Sequence, residues 1–144
     1  MPIPRLTVIT LGVTDLAKAT RFYETIFGIG PYPGYEGVSF FELPGVWLTL
    51  YPVDKLAADI SPQLSPDGSG FSGITLAYNA RSKDEVIAIF EEVRAAGASI
   101  VKPPQDTFWG GFSGYFADLD GYYWEVVWGP MFDFAPDGSL RFKK

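Results

Sequence analysis

A chain of 144 residues with 47% hydrophobic and 19% charged side chains is long enough for one globular domain with a single core. Its net charge of −6 and scattered basic residues argue against nucleic acid and an anionic membrane surface, and no apolar run approaches the roughly 20 residues of a membrane span. Without cysteine there are no disulfides and no thiol catalysis; with no charged-then-apolar pattern in the first residues, the expected setting is the cytoplasm.

The first predicted element is a strand, Leu6 to Val13. Thr14 or Asp15 can cap the helix after it, whose apolar Leu16, Ala19, Phe22, Tyr23, Ile26 and Phe27 share one face and which stops at Gly28. Val38 to Leu43, the turn Pro44-Gly45, and Val46 to Tyr51 read as a hairpin. Ala57 to Gly70, rich in Ser, Pro, Asp and Gly, reads as a linker.

Then the pattern starts again. Ile9-Thr10-Leu11 echoes in Ile74-Thr75-Leu76, 65 positions on (74 − 9), at the head of a strand reaching Asn79. Ser82-Lys83-Asp84-Glu85 has the form of a capping box, Val86, Ile89, Phe90 and Val93 form the apolar stripe, and Gly97 is the stop. Gly114 to Asp118, the turn Leu119-Asp120-Gly121, and Tyr122 to Trp128 make a second hairpin with a strong Asp-Gly signal. Superposing Gly45 on Gly121 changes the spacing to 76 (121 − 45). Phe40 then falls on Phe116, Glu42 on Asp118 and Thr49 on Glu125, and an insertion is required, placed at Pro103 to Gly111.

Two copies of strand, helix and meander, each too small to bury a good core alone, predict one α+β domain over residues 1–144. The expected architecture is two βαβββ modules forming a curved mixed sheet around a central cavity, with the helices outside. Module 1 covers about 6–56, the linker about 57–70, module 2 about 71–130 and a tail 131–144. Met131-Phe132-Asp133-Phe134 in that tail must bury apolar groups, which points to a homodimer.

Several blocks resemble a known superfamily, the vicinal oxygen chelate fold of glyoxalase I, extradiol dioxygenases, fosfomycin resistance enzymes and bleomycin-binding proteins. They are Leu11-Gly12-Val13-Thr14-Asp15-Leu16 leading to Arg21-Phe22-Tyr23, Ala95-Ala96-Gly97-Ala98, Pro103 to Gly111 with its Phe108-Trp109-Gly110-Gly111 loop, and Phe116 to Glu125. The likeness covers roughly residues 6 to 130, the last block being the most specific, and is to a glyoxalase-like branch. It implies metal-ligand positions at Val8, Thr49, Gly73 and Glu125. One carboxylate, one hydroxyl and no histidine cannot hold zinc, iron or manganese, so neither a metal nor another cofactor is expected.

Glu125 is the candidate catalytic residue, because a carboxylate in a water-poor cavity holds its proton more tightly than one in water and can serve as a general base. Strand alternation puts it on one face with Tyr123 and Val127. Phe108 and Trp109, in a Gly-flanked loop, suit stacking on a ligand or a lid, and suit core packing equally. Phe41, Thr49, Tyr51, Tyr78, Asn79, Gln105 and Tyr123 complete the expected pocket, while Asp118 and Asp120 read as turn chemistry. The leading expectation is metal-independent binding of a small, partly aromatic or apolar molecule. The alternatives are a lyase, isomerase or dioxygenase with Glu125 as base or metal ligand, and a structural partner whose pocket is filled.

Overall fold

A computed structural model describes residues 5–67, 70–72 and 74–144. The chain divides after Ser72 into two compact units. In the first, β1 (Val8–Val13) leads through α1 (Leu16–Phe27) to β2 (Ser39–Phe41), β3 (Trp47–Pro52) and α2 (Val53–Ile60). Its sheet runs β1-β3-β2, with β1 parallel and β2 antiparallel to β3. The second contains β4 (Thr75–Asn79), α3 (Lys83–Ala95), β5 (Ser99–Asp106), β6 (Phe112–Ala117) and β7 (Tyr123–Trp128) in the order β4-β7-β6-β5. A hairpin of β8 (Phe132–Phe134) and β9 (Leu140–Phe142) follows.

The helices form where the apolar stripes and caps place them. Asp15 caps α1 by accepting the Lys18 N–H at 3.1 Å, and Gly28 ends it in the left-handed conformation at φ 70. Ser82 caps α3 by accepting the Glu85 N–H at 3.1 Å. The expected capping box is only half made, because the Glu85 carboxylate takes the Tyr78 hydroxyl at 3.0 Å and the Arg81 amide at 3.3 Å. α1 and α3 each bury an aromatic ring against their own sheet. Tyr23 lies 6.4 Å from Phe41, and Phe90 lies edge-on 6.2 Å from Phe116, which stacks on Trp124 at 5.9 Å. Burying each such ring contributes about 1.5–3 kcal/mol.

The ladder registers correct the repeat spacing. Val8 pairs with Trp47 as Thr75 pairs with Tyr123, and Thr10 with Thr49 as Ala77 with Glu125. The caps Asp15 and Ser82 agree, giving a spacing of 67 (82 − 15) for strand and helix rather than the 65 of the Ile-Thr-Leu echo. A slip of two residues keeps every side chain on its face, so alternation alone could not detect it. In the meander Phe40 pairs with Thr49 and Tyr115 with Glu125. Phe40 therefore corresponds to Tyr115, and Phe41 to Phe116, because the second hairpin holds one residue more.

Two further details differ from expectation. Unit 1 has no strand between α1 and β2, where a βαβββ module needs one. Gly30, Pro31, Pro33, Gly34 and Gly37 fill that stretch, and one bond from the Tyr32 N–H to the Phe40 carbonyl is its link to β2. The predicted linker begins too early, since α2 continues to Ile60. The aromatic tail forms a hairpin, with Phe132 5.4 Å from Phe142 and the Arg81 guanidinium 4.2 Å above the Phe134 ring, while Phe142 remains 72% exposed. Asp118 plays the expected turn role, accepting the Asp120 and Tyr122 amides at 2.9 and 2.8 Å.

Candidate functional site

Because α3 packs on the Phe116 and Trp124 side of its sheet, residues of opposite parity form a helix-free face. The registers arrange that face in rows. Ala77, Glu125, Tyr115 and Lys102 form one, and Asn79, Val127, Ser113 and Gln105 the next. Tyr123 heads the row on the other side, with Thr75 and Ala117. Two irregularities in the β5–β6 ladder bracket Lys102. Bulges of this kind re-aim side chains. Gly114 makes the bulged approach possible, since a Cβ there would lie 2.7 Å from the Lys102 carbonyl oxygen.

Glu125 is half-buried at the centre of this polar face. Tyr115 stands directly opposite it in the β6–β7 ladder, and burial, then the neighbouring Glu125 charge, pushes the Tyr115 hydroxyl above the ordinary tyrosine value. A carboxylate has lone pairs that can accept from a ligand. Tyr115 was not singled out from sequence. The signal was available: once Asp118 and Tyr122 close the hairpin, through the Asp118 N–H to Tyr122 carbonyl bond, Tyr115 must fall opposite Glu125.

The matching face of unit 1 carries Trp47, Thr49, Thr10, Phe40 and Tyr51. Thr49 is only 4% exposed, and its Oγ1 is buried without a hydrogen-bond partner. α2 closes on one end of this face, at Gly12, where a Cβ would lie 2.9 Å from Val53 Cγ2.

The expected pocket residues are therefore divided. Tyr123, Asn79 and Gln105 share the Glu125 face, and Thr49 and Tyr51 share the unit 1 face. Phe41 and Tyr78 are on neither. Phe41 pairs with Leu48, one step out of phase with Thr49, and packs under α1 against Tyr23 and Phe27. Tyr78 pairs with Val126 and donates to Glu85 of α3. Phe108 stands at the tip of the β5–β6 turn, 102% exposed. Trp109 lies back over the chain, its ring where a Cβ on Gly111 or Gly129 would sit. Thr107 ties that turn, accepting the Gly111 N–H on its hydroxyl at 2.8 Å and giving its own amide to the Gly111 carbonyl at 2.9 Å.

A strand–helix–meander unit repeated with matched registers and matched ring pairs defines a duplicated α+β protein. The chain belongs to the glyoxalase/bleomycin resistance protein/dioxygenase superfamily, whose family model matches residues 5–126. It is similar to a glyoxalase-related enzyme from Fulvimarina pelagi, with 33% identity, 99% of this chain and 100% of that one covered, and a TM-score of 0.86. It is also similar to the fosfomycin resistance protein FosX from Listeria monocytogenes, with 28% identity, 90% and 97% covered, and a TM-score of 0.69. The metallothiol transferase FosB of Lysinibacillus sphaericus (strain C3-41) is 23% identical over 133 residues, 92% of this chain and 88% of that protein.

The metal that the superfamily implies does not fit this donor set. Of the positions carried over, Gly73 lies outside the described residues, and the register makes Thr75 the counterpart of Val8. Val8 has no donor, Thr49 and Thr75 offer neutral hydroxyls, and Glu125 is the one carboxylate among them. Transition-metal sites of this type use about three or four imidazole, thiolate or carboxylate ligands. Among the described residues no three of His, Cys, Asp or Glu gather. No described helix is long and apolar enough to cross a membrane.

Proposed function

We propose that this member of the superfamily binds a small organic molecule without a transition metal, on the helix-free face of its second unit. The observation carrying the reading is the Tyr115–Glu125 cross-strand pair, one carboxylate beside a phenol where a metal-using site needs several ligands. Glu125 accepts a hydrogen bond from the ligand, Asn79 and Gln105 on the adjacent row orient it, and Tyr123 supplies apolar contact. A flat molecule with one donor, such as an aromatic amine or phenol, matches that pattern. The metal dependence in the name of the Lysinibacillus protein belongs to that protein.

The same pair supports a second reading. A phenol beside a carboxylate is an acid next to a base, as a lyase or isomerase acting by proton transfer would need. In that case Glu125→Gln abolishes turnover while ligand binding survives.

Aniline, phenol and indole, titrated by ligand-observed NMR after dialysis against EDTA, test the binding reading. Binding should persist without metal, and Glu125→Gln should weaken it about tenfold, the equivalent of about 1.4 kcal/mol. A stoichiometric transition metal found by elemental analysis and lost in Glu125→Ala, or binding abolished by EDTA, overturns it.

A further inference from the structure

A second feature of unit 2 lies on the other face of the same sheet, where Trp128 shares the α3 side with Trp124 and Val126. Between the end of β7 and the C-terminal hairpin is a cavity of about 240 Å³, lined among others by Arg81, Trp128, Phe132, Asp133, Phe134 and Lys143. Its walls are aromatic and its mouth is cationic. The Arg81 guanidinium carbon sits 4.2 Å over the centroid of the Phe134 ring, a contact that restrains it while its fork of donors can serve other partners. Among the described residues the one ion pair is Lys83 with Asp106, so Arg81 has no carboxylate of its own. Lys143 is held in place by its backbone, whose N–H donates to the Met131 carbonyl at 2.8 Å. Lys83, paired with Asp106, lies 5.8 Å over the Trp128 ring.

The chain as a whole is strongly acidic at −6, yet Arg81, Lys83, Arg141, Lys143 and Lys144, five of its 11 basic residues, stand at this end of unit 2. Asp133, the one carboxylate among the lining residues, accepts the Phe134 N–H at 2.8 Å and stands opposite Arg141 in the β8–β9 ladder. Asp106 is taken up by Lys83, and Glu85 accepts the Tyr78 hydroxyl and the Arg81 amide, so Arg81 and Lys143 are the cations that line the cleft itself.

We infer that this cleft is a second binding site, for a small planar carboxylate of the size of a single-ring aromatic acid. The carboxylate takes the two parallel donors of the Arg81 fork, with Lys143 beside it, and the ring rests against Phe132 and Trp128. The volume lies below the roughly 300 Å³ at which pockets for larger ligands begin, so a second fused ring would not be enclosed. Arg81 is restrained by the Phe134 ring before the ligand arrives, so the ordering cost falls mainly on the ligand. The site is independent of Glu125, which faces the opposite side of β7.

The test uses the full chain with sodium benzoate as probe and benzamide as its neutral, equally flat control, followed in ¹H–¹⁵N NMR spectra. Benzoate should shift the Trp128 indole and the backbone amides of Phe132 to Phe134 and Lys143, with benzamide at least tenfold weaker. Arg81→Ala should weaken benzoate about tenfold or more, and Arg81→Lys, which keeps the charge but loses the planar fork, should fall between. Glu125→Gln should leave these shifts unchanged, which separates this site from the one proposed above. The spectrum of each variant reports whether the hairpin remains folded, and Lys143→Gln, whose backbone bond is retained, gives a second and smaller loss. Equal binding of benzoate and benzamide, shifts confined to the Glu125 face, or full affinity in a folded Arg81→Ala protein would each overturn the inference.

Discussion

The two units share one frame and differ in what they place on it. Unit 1 presents Trp47, Thr49, Phe40 and Tyr51 on the face turned away from α1, and unit 2 presents Tyr123, Glu125, Tyr115 and Val127 at the matching register positions. Beneath both, the packing repeats almost ring for ring, with Tyr23 on Phe41 in one and Phe90 on Phe116 in the other. Duplication has preserved the side that folds the chain, where a changed volume is costly. It has let the other side diverge, giving one aromatic face with a lone hydroxyl and one polar face with a charge. The carboxylate of unit 2 has no anionic counterpart at its register position in unit 1, where Thr49 stands.

If the buried sides are equivalent, breaking them should cost the same. Phe41 and Phe116 are almost fully buried, and truncation of either to Ala should destabilise the protein by about 3–5 kcal/mol. Urea unfolding of both variants measures this. A cost below about 1 kcal/mol for one of them would mean that its unit relaxes around the cavity, and the equivalence would fail.

The hydroxyls sharpen the contrast between faces. Thr20 Oγ1 and Ser39 Oγ bond at 2.7 Å under α1, while Thr49 Oγ1 on the other face has no partner. Thr20→Val leaves the buried Ser39 hydroxyl unpaired, with an expected loss of about 1–3 kcal/mol. Thr49→Val exchanges an unsatisfied hydroxyl for a methyl of similar size, so stability should be unchanged or rise by about 1 kcal/mol. Thermal denaturation of the two variants side by side decides the matter. A loss in Thr49→Val as large as in Thr20→Val would show that Thr49 has a partner in solution, such as a bound water.

Much of this frame was legible in the sequence. Leu16 to Phe27 and Val86 to Val93 announce their helices through apolar spacing, and Asp15, Ser82, Gly28 and Gly121 mark the ends and turns. Register was harder to read. Period-2 alternation is blind to a slip of two, so the Ile-Thr-Leu echo displaced β4 by one pair, and Gly73 was counted where Thr75 stands. A slip of one is visible only through a partner strand, which is how Phe41 was placed on the wrong face. Tyr115 went unnoticed because its significance comes from the residue across the ladder, not from its neighbours in the chain. The folded tail was missed because hairpin β8–β9 joins two three-residue strands of ordinary composition, too short to give a period.

The smallest expected effect concerns the tyrosines that flank the sheet. Tyr115 on the helix-free face and Tyr78 on the helix side both have hydroxyls pushed up from the ordinary value, by burial first and then by a neighbouring carboxylate, Glu125 or Glu85. A raised value means that the folded state favours the neutral phenol. Its contribution is present in full below the unfolded value, near 10, and is lost as pH rises through the higher folded value. Stability should therefore decline as pH rises from the unfolded value to the higher folded value, with no contribution from these groups to any change between pH 5 and 8. Tyr115→Phe should flatten part of the decline, and Glu125→Gln should flatten it by removing the charge that holds Tyr115 neutral. Both groups retain solvent contact, so the slope should be shallow. The titration of tyrosinate absorbance gives the direct reading: in the folded wild type Tyr115 ionises late, and in Glu125→Gln it moves back toward the ordinary range. If Tyr115 titrates identically in both proteins, the phenol and the carboxylate do not interact, and the polar face loses the pair on which its proposed chemistry rests.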